Sequence, residues 1–337
     1  MIMVKNPDKI LIVKPSSLGD IVHSLPFLNA IRECFPVSAI DWVVAKGLEG
    51  LLDGHPMISK LWIIEKDKWK KITRAGETAQ EILELSKKLK KEHYDLVVDL
   101  QGLLRSGLIT ASTRAPVRVG FSEAREGSRL FYTHKVEGGR DIHAVDRYLK
   151  IASFLGCSID TVQFPFPSPL DKADIRLRFA LPERYAVLVP GARWETKRWP
   201  AENFGELASR FPLKSVIVGS KGDLDIAQTI VEHSRGNAVS LAGKTDLKEL
   251  REIMRKAKFV VSNDSGPMHI AAALGIPVFA LFGPTEPRRT GPYGDIHTVL
   301  SLAIPCVPCL KRTCSSLKCM RELSAEKVSD AVIQKVF

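Results

Sequence analysis

Short aliphatic runs alternate along this chain with longer stretches whose apolar residues recur at helical spacing. Ile10–Lys14 (ILIVK) reads as a buried strand, and Ile21–Phe35 carries an amphipathic helical pattern. Ile40–Val44, a helix near Leu48–Leu52, strand Lys60–Ile64, the charged helix Ala79–Lys91 and strand Asp95–Leu100 continue the rhythm. It stalls at Phe164–Pro182, where prolines stand at 165, 167 and 169. It then resumes with strands at Tyr185–Val189, Ser215–Val218, Ala238–Leu241, Phe259–Ser262 and Pro277–Leu281. Helices at Ala201–Phe211, Leu224–His233, Leu247–Lys256 and Met268–Leu274 separate them, and Ser324–Phe337 reads as a last helix. Strands separated by helices pair in parallel, so the pattern predicts an α/β chain of two Rossmann-like domains facing across a cleft. The expected boundaries are an N-terminal domain at 1–163, a Pro-rich linker at 164–182, a C-terminal domain at 183–323 and a C-terminal helix at 324–337.

The 337 residues are 45% hydrophobic and 26% charged, which fits a soluble globular protein and excludes a disordered or collagen-like chain. The longest apolar run, Ile270–Gly283, is interrupted by Gly275 and Pro277 and falls short of a membrane span. Charges occupy the N-terminal stretch where a secretion signal needs its apolar core, so the expected location is cytoplasmic. Lys plus Arg outnumber Asp plus Glu by 49 to 38, a net +11 that favours an anionic partner. No nucleic-acid-binding signature accompanies the charge, which leaves a membrane surface or a phosphorylated substrate.

Five segments can carry chemistry. The first strand runs into Lys14-Pro15-Ser16-Ser17-Leu18-Gly19-Asp20, a small-residue turn opening a helix, where free backbone N–H groups suit a phosphate or sugar. Asp20 either complements the helix dipole or acts as a general base toward a sugar hydroxyl. The stretch GARWETKRWP at 191–200 places Arg193, Lys197 and Arg198 between two indoles beyond a strand end. A cation there can neutralise a departing diphosphate, the plainer reading being a solvated loop anchored by Trp199. In Phe259–Leu274 a strand ends in Asn263-Asp264-Ser265-Gly266 and Pro267 opens a helix, aiming backbone amides at a diphosphate, with His269 one turn inside. Asp223-Leu224-Asp225 starts another helix; its charges need no metal, and Asp223 suits a ribose hydroxyl. Glu286, in the loop after the last strand of that half, either accepts from a sugar hydroxyl or caps a turn.

Cys34 and Cys157 stand alone, whereas Cys306, Cys309, Cys314 and Cys319 fall within fourteen residues as C-x2-C-x4-C-x4-C. These four fit either a structural zinc site or free thiols, and no catalytic role is read for them.

The chain resembles the ADP-heptose:lipopolysaccharide heptosyltransferases of glycosyltransferase family 9. The stretches VKPSSLGDIVHSLP, YDLVVDLQGLLRSG, TKRWP and VSNDSGPMHIAAALGIPVFALFGPTEP carry the likeness over nearly its whole length. Lys14–Pro26, Asp41–Val44 and Glu123–Tyr132 are most similar to the heptosyltransferase I branch, which adds the first heptose to Kdo; the second-heptose branch is a close rival. The resemblance implies a GT-B fold and an inverting, metal-independent transfer at the inner face of the cytoplasmic membrane, with ADP-heptose as donor, Kdo-lipid A as acceptor and no required cofactor. It implies Asp20 as base and Lys197 as the cation on the leaving diphosphate. Donor contacts would come from Asp223, Thr245, Asp264, Ser265, Gly266 and His269, and acceptor contacts from Ser16, Ser17, Gly19, Gln101, Arg125, Lys68 and Lys70.

Three features depart from the family pattern. Ala192 and Arg193 stand where hydroxyl residues are frequent, Asp223 is shorter than the Glu often found, and some members lack the cysteine cluster. Two other readings of the fold are an epimerase acting on a nucleotide sugar and a non-catalytic binder of anionic glycans.

Overall fold

The computed structural model describes residues 6–66, 75–139, 141–170 and 172–337, with side chains from residue 80 in the helix at 75–91 and from 175 in the helix at 172–178. The chain divides into two compact units, the first ending at Ser168 and the second starting at Pro169, inside the Pro-rich stretch. Within that stretch Lys172–Arg178 is helical, and Arg178 pairs with Glu249 of the second unit.

The first unit contains strands β1 (Lys9–Val13), β2 (Ala39–Ala45), β3 (Lys60–Ile64), β4 (Leu96–Asp99), β5 (Val117–Phe121) and β6 (His134–Val136). Its helices are α1 (Leu18–His23), α2 (Leu25–Cys34), α3 (Ala75–Lys91), α4 (Leu104–Ser112) and α5 (Ala144–Phe154). The strands form one parallel sheet in the order β3-β2-β1-β4-β5-β6. β1 lies at its centre, with Ile12 in register with Trp42 on one side and Val98 on the other, and Ile10–Val13 are fully buried. A strand covered on both faces needs this unbroken apolar run. The single helix expected over Ile21–Phe35 is two. Ser24 ends α1 and begins α2, its hydroxyl donating to the Asp20 carbonyl at 2.7 Å, and Pro26 then sits where a helix start tolerates a missing N–H. Polar residues weaken the β5 signal. Its Gly120 is required because a Cβ there would lie 2.3 Å from the Tyr132 ring.

The second unit contains α6 (Lys172–Arg178), β7 (Tyr185–Val189), α7 (Ala201–Arg210), β8 (Lys214–Ile217), α8 (Leu224–His233), β9 (Ala238–Ser240), α9 (Leu247–Arg255), β10 (Val260–Asn263), α10 (Gly266–Ala273) and β11 (Val278–Leu281). It continues through α11 (Pro287–Thr290), β12 (Thr298–Leu300), α12 (Lys318–Arg321) and α13 (Ala325–Val336). Its parallel sheet runs β12-β11-β10-β7-β8-β9, the same connectivity as the first. The core gathers Leu188, Phe204, Phe259 and Phe279 with Val328 and Val332, so the last helix packs on this unit. Both sheets have the 3-2-1-4-5-6 order of Rossmann folds. The strand order therefore reverses between β1 and β4 and between β7 and β10, and ligands bind outside the carboxyl ends at those two points.

Candidate active site

In the first unit the loops after β1 and β4 are bound to each other. Gln101 Oε1 accepts from the Ser16 N–H at 3.2 Å, and the buried Lys14 Nζ donates to the Leu100 carbonyl at 3.1 Å. Asp99, fully buried, holds the second loop by accepting from the N–H groups of Gln101 and Gly102 at 2.8 and 3.0 Å and from the Tyr132 hydroxyl at 2.7 Å. Burial raises its pKa despite these bonds. The Arg125 N–H donates to the Gly102 carbonyl at 2.9 Å while its side chain is exposed. Ser16, Ser17, Gly19, Asp20, Gln101 and Arg125 thus share one sheet edge.

Asp20 occupies the third position of α1. Its Oδ2 accepts from the Ser17 N–H at 2.9 Å and hydroxyl at 2.6 Å, closing a capping box. Its Oδ1 receives the Tyr148 hydroxyl at 3.4 Å and lies 3.9 Å from Lys14 Nζ, which also sits over the Tyr148 ring. Burial alone would raise the Asp20 pKa; the Lys14 charge and the Ser17 bonds outweigh it and hold the carboxyl below the ordinary carboxylate range. The side chain keeps 39% of its surface open, so water moderates the effect and a hydroxyl can approach. Lys14 is shifted upward, the Asp20 charge and Tyr148 overcoming its burial.

In the second unit Asn263 joins the two loops at the reversal, donating to the Pro190 carbonyl at 2.7 Å and accepting from the Trp199 N–H at 3.2 Å. Trp199 is the buried anchor, its indole N–H donating to the Leu323 carbonyl at 2.8 Å. That anchoring leaves Lys197 directed at Asp264, with Nζ 2.6 Å from Oδ2. The same oxygen accepts the Thr285 hydroxyl at 2.6 Å. Ser265 caps the start of α10 and Gly266 begins it, so the free N–H groups of this helix open beside the Lys197–Asp264 pair. His269, one turn inside, is buried.

At the neighbouring strand end, Asp223 Oδ2 accepts from the Ser220 N–H at 2.8 Å and hydroxyl at 2.7 Å. The carboxylate lies against Gly191, where a Cβ would come within 2.7 Å of it. The loop carrying Thr245 is fixed beside it through the Gly243 N–H, which donates to the Gly219 carbonyl at 2.8 Å. Glu286 takes the plainer of its two readings and caps α11, accepting from the Arg288 N–H at 3.2 Å. Lys68 and Lys70 lie outside the described residues.

Cys306 and Cys314 are exposed, Cys309 is half-buried and Cys319 is buried. Among the described residues, no three His, Cys, Asp or Glu side chains are gathered closely enough to hold a metal ion. No helix among them is long and apolar enough to cross a membrane.

The model of the family described as glycosyltransferase family 9 (heptosyltransferase) matches residues 82–320. The chain is 32% identical to the Pseudomonas aeruginosa protein named lipopolysaccharide heptosyltransferase 1, over 91% of this chain and 87% of that one. The chain belongs to glycosyltransferase family 9. The Haemophilus ducreyi protein named lipooligosaccharide heptosyltransferase 2 is 28% identical over 87% of this chain and 88% of its own. The structure of E. coli heptosyltransferase WaaC with ADP superposes with a TM-score of 0.79 at 27% identity, covering 97% of this chain and 99% of that one. As in such GT-B glycosyltransferases, each unit of this family 9 chain is a Rossmann-like α/β domain.

Three side chains of this family 9 site carried no role in the sequence reading: Lys14, Tyr148 and Thr285. Lys14 had a local signal, a lysine ending an otherwise apolar strand. Tyr148 and Thr285 had none, because their partners are 128 and 21 residues away.

Proposed function

We propose that this protein transfers a heptose from ADP-heptose to the Kdo residue of the lipopolysaccharide inner core, with Asp20 as general base. The arrangement of Asp20 carries the reading. A carboxylate held ionised at a sheet edge, fixed on one oxygen and partly open on the other, suits a base for a sugar hydroxyl. In the proposed step the acceptor oxygen attacks the anomeric carbon with inversion as its proton passes to Asp20. The bond from the anomeric carbon to the diphosphate breaks, and ADP departs with the electron pair. Lys197 and the first amides of α10 face the growing negative charge, while Asp223 and the Thr245 loop hold the nucleoside. The net charge of +11 suits an acidic glycolipid acceptor at the inner face of the membrane.

The test is ADP release by purified protein given ADP-heptose with Kdo-lipid A, with and without EDTA. Release that needs the acceptor and ignores EDTA supports the reading. Release without any acceptor points to other chemistry, and none at all overturns transfer. Relatives bearing the heptosyltransferase 2 name favour one second reading, transfer to an acceptor that already carries a heptose. Faster turnover on that acceptor than on Kdo-lipid A selects it.

A further inference from the structure

Lys197 and Asp264 neutralise each other at 2.6 Å, and Asp223 adds a further negative charge at the same sheet edge. A multiply charged diphosphate entering there meets little net positive charge from these three side chains. The Arg198 Nε is engaged by the Ala192 carbonyl at 2.9 Å.

A cation comes instead from the loop that holds the cysteines. Lys197 Nζ lies over the Trp194 ring, 4.7 Å from its centroid, and the Arg312 guanidinium lies over the same ring at 4.9 Å. One indole is therefore shared by both cations, and Lys197 already has its counter-charge in Asp264. The loop is fixed at two points to the segments that build the site. The buried Thr196 hydroxyl donates to the Lys311 carbonyl at 2.9 Å, and the N–H groups of Cys309 and Leu310 donate to the Pro284 carbonyl at 3.1 and 2.7 Å. Pro284 precedes Thr285, which bonds Asp264. Among the described residues Arg312 has no carboxylate partner, and a guanidinium over an aromatic face keeps its N–H edge available for a bidentate grip on phosphate.

We infer that Arg312 is a second phosphate-binding residue, placed on the same indole as Lys197, and that the two cations grip the diphosphate of the nucleotide sugar together. This rests on the donor assignment made above.

ADP affinity in Arg312→Ala and Arg312→Lys tests it, by calorimetry and by the ADP-induced rise in melting temperature. Loss of a charged hydrogen bond predicts binding about ten-fold weaker or more in Arg312→Ala and an intermediate loss in Arg312→Lys. The unliganded melting temperature stays the same, since the side chain is exposed. ADP affinity unchanged in Arg312→Ala overturns the role of Arg312 alone. A fall matched by a lower unliganded melting temperature, equal in both variants, also overturns it in favour of loop support. Failure of the wild-type protein to bind ADP sinks the donor assignment beneath it.

Discussion

The tetrapeptides Ser17-Leu18-Gly19-Asp20 and Ser220-Lys221-Gly222-Asp223 are nearly the same sequence and fold the same way, one in each unit. In both, the aspartate Oδ2 accepts from the serine N–H and hydroxyl, at 2.9 and 2.6 Å in the first and 2.8 and 2.7 Å in the second. The turn therefore fixes one oxygen and leaves the task of the residue undecided. What differs is the surroundings. Asp20 follows the central strand and meets the buried Lys14, whose charge favours its ionised form, and the Tyr148 hydroxyl. Asp223 follows the next strand out, β8, and rests on Gly191 and Gly219, and among the described residues it forms no ion pair. Under the proposed function, one local motif would thus serve a carboxylate that takes a proton and another that accepts a hydroxyl hydrogen bond.

This contrast can be broken from either side. On the diphosphate side the largest effect is expected from Lys197→Ala. It strips the cation from the diphosphate side and leaves the buried Asp264 without its counter-charge, lowering kcat/KM by about 10²-fold or more in steady-state ADP-release assays. Next comes Gly191→Ala, whose new Cβ would displace the Asp223 carboxylate. The KM for ADP-heptose should rise about ten-fold with kcat nearly constant, as for loss of a binding contact used equally throughout the reaction.

The first box responds in pH instead. The folded-state pKa of Asp20 is depressed, so the carboxylate is ionised throughout neutral assays, and the acid limb of kcat/KM lies below the ordinary carboxylate range. Lys14→Met removes the leading cause, so that limb should move toward higher pH while the neutral-pH rate falls less. The same depression stabilises the fold above the unfolded carboxylate pKa, and this contribution is lost as pH falls through the folded value. The smallest effects belong to Ser17→Ala and Ser220→Ala, each losing one hydroxyl bond. The first should shift the acid limb slightly upward, and the second should raise donor KM only a few-fold.

Much of this was legible in the sequence for a physical reason. Central parallel strands must be apolar on both faces, so β1, β7 and β11 stand out as unbroken aliphatic runs. The loops at their ends are marked by small residues and helix-capping serines. No element was read between residues 101 and 163 because charged and small residues interrupt its apolar runs, Gly120 under Tyr132 being the clearest case. The break at Ser24 was hidden because the apolar pattern continues in phase across it. In the site, the turns carrying Asp20 and Asp264 and the cationic loop carrying Lys197 were visible as polar stretches beyond apolar strands, and the resemblance singled out the residues within them. The pairing of Lys197 with Asp264, and the hold of Lys14 and Tyr148 on Asp20, belong to packing across long sequence separations.

The central claim is that proton removal rests on Asp20, whereas nucleotide binding rests on residues of the second unit. Turnover and ADP affinity measured together in Asp20→Asn test it most directly. Turnover should fall by about 10²–10⁴-fold with the ADP dissociation constant unchanged. Wild-type turnover in that variant, or a parallel loss of ADP binding, would contradict it.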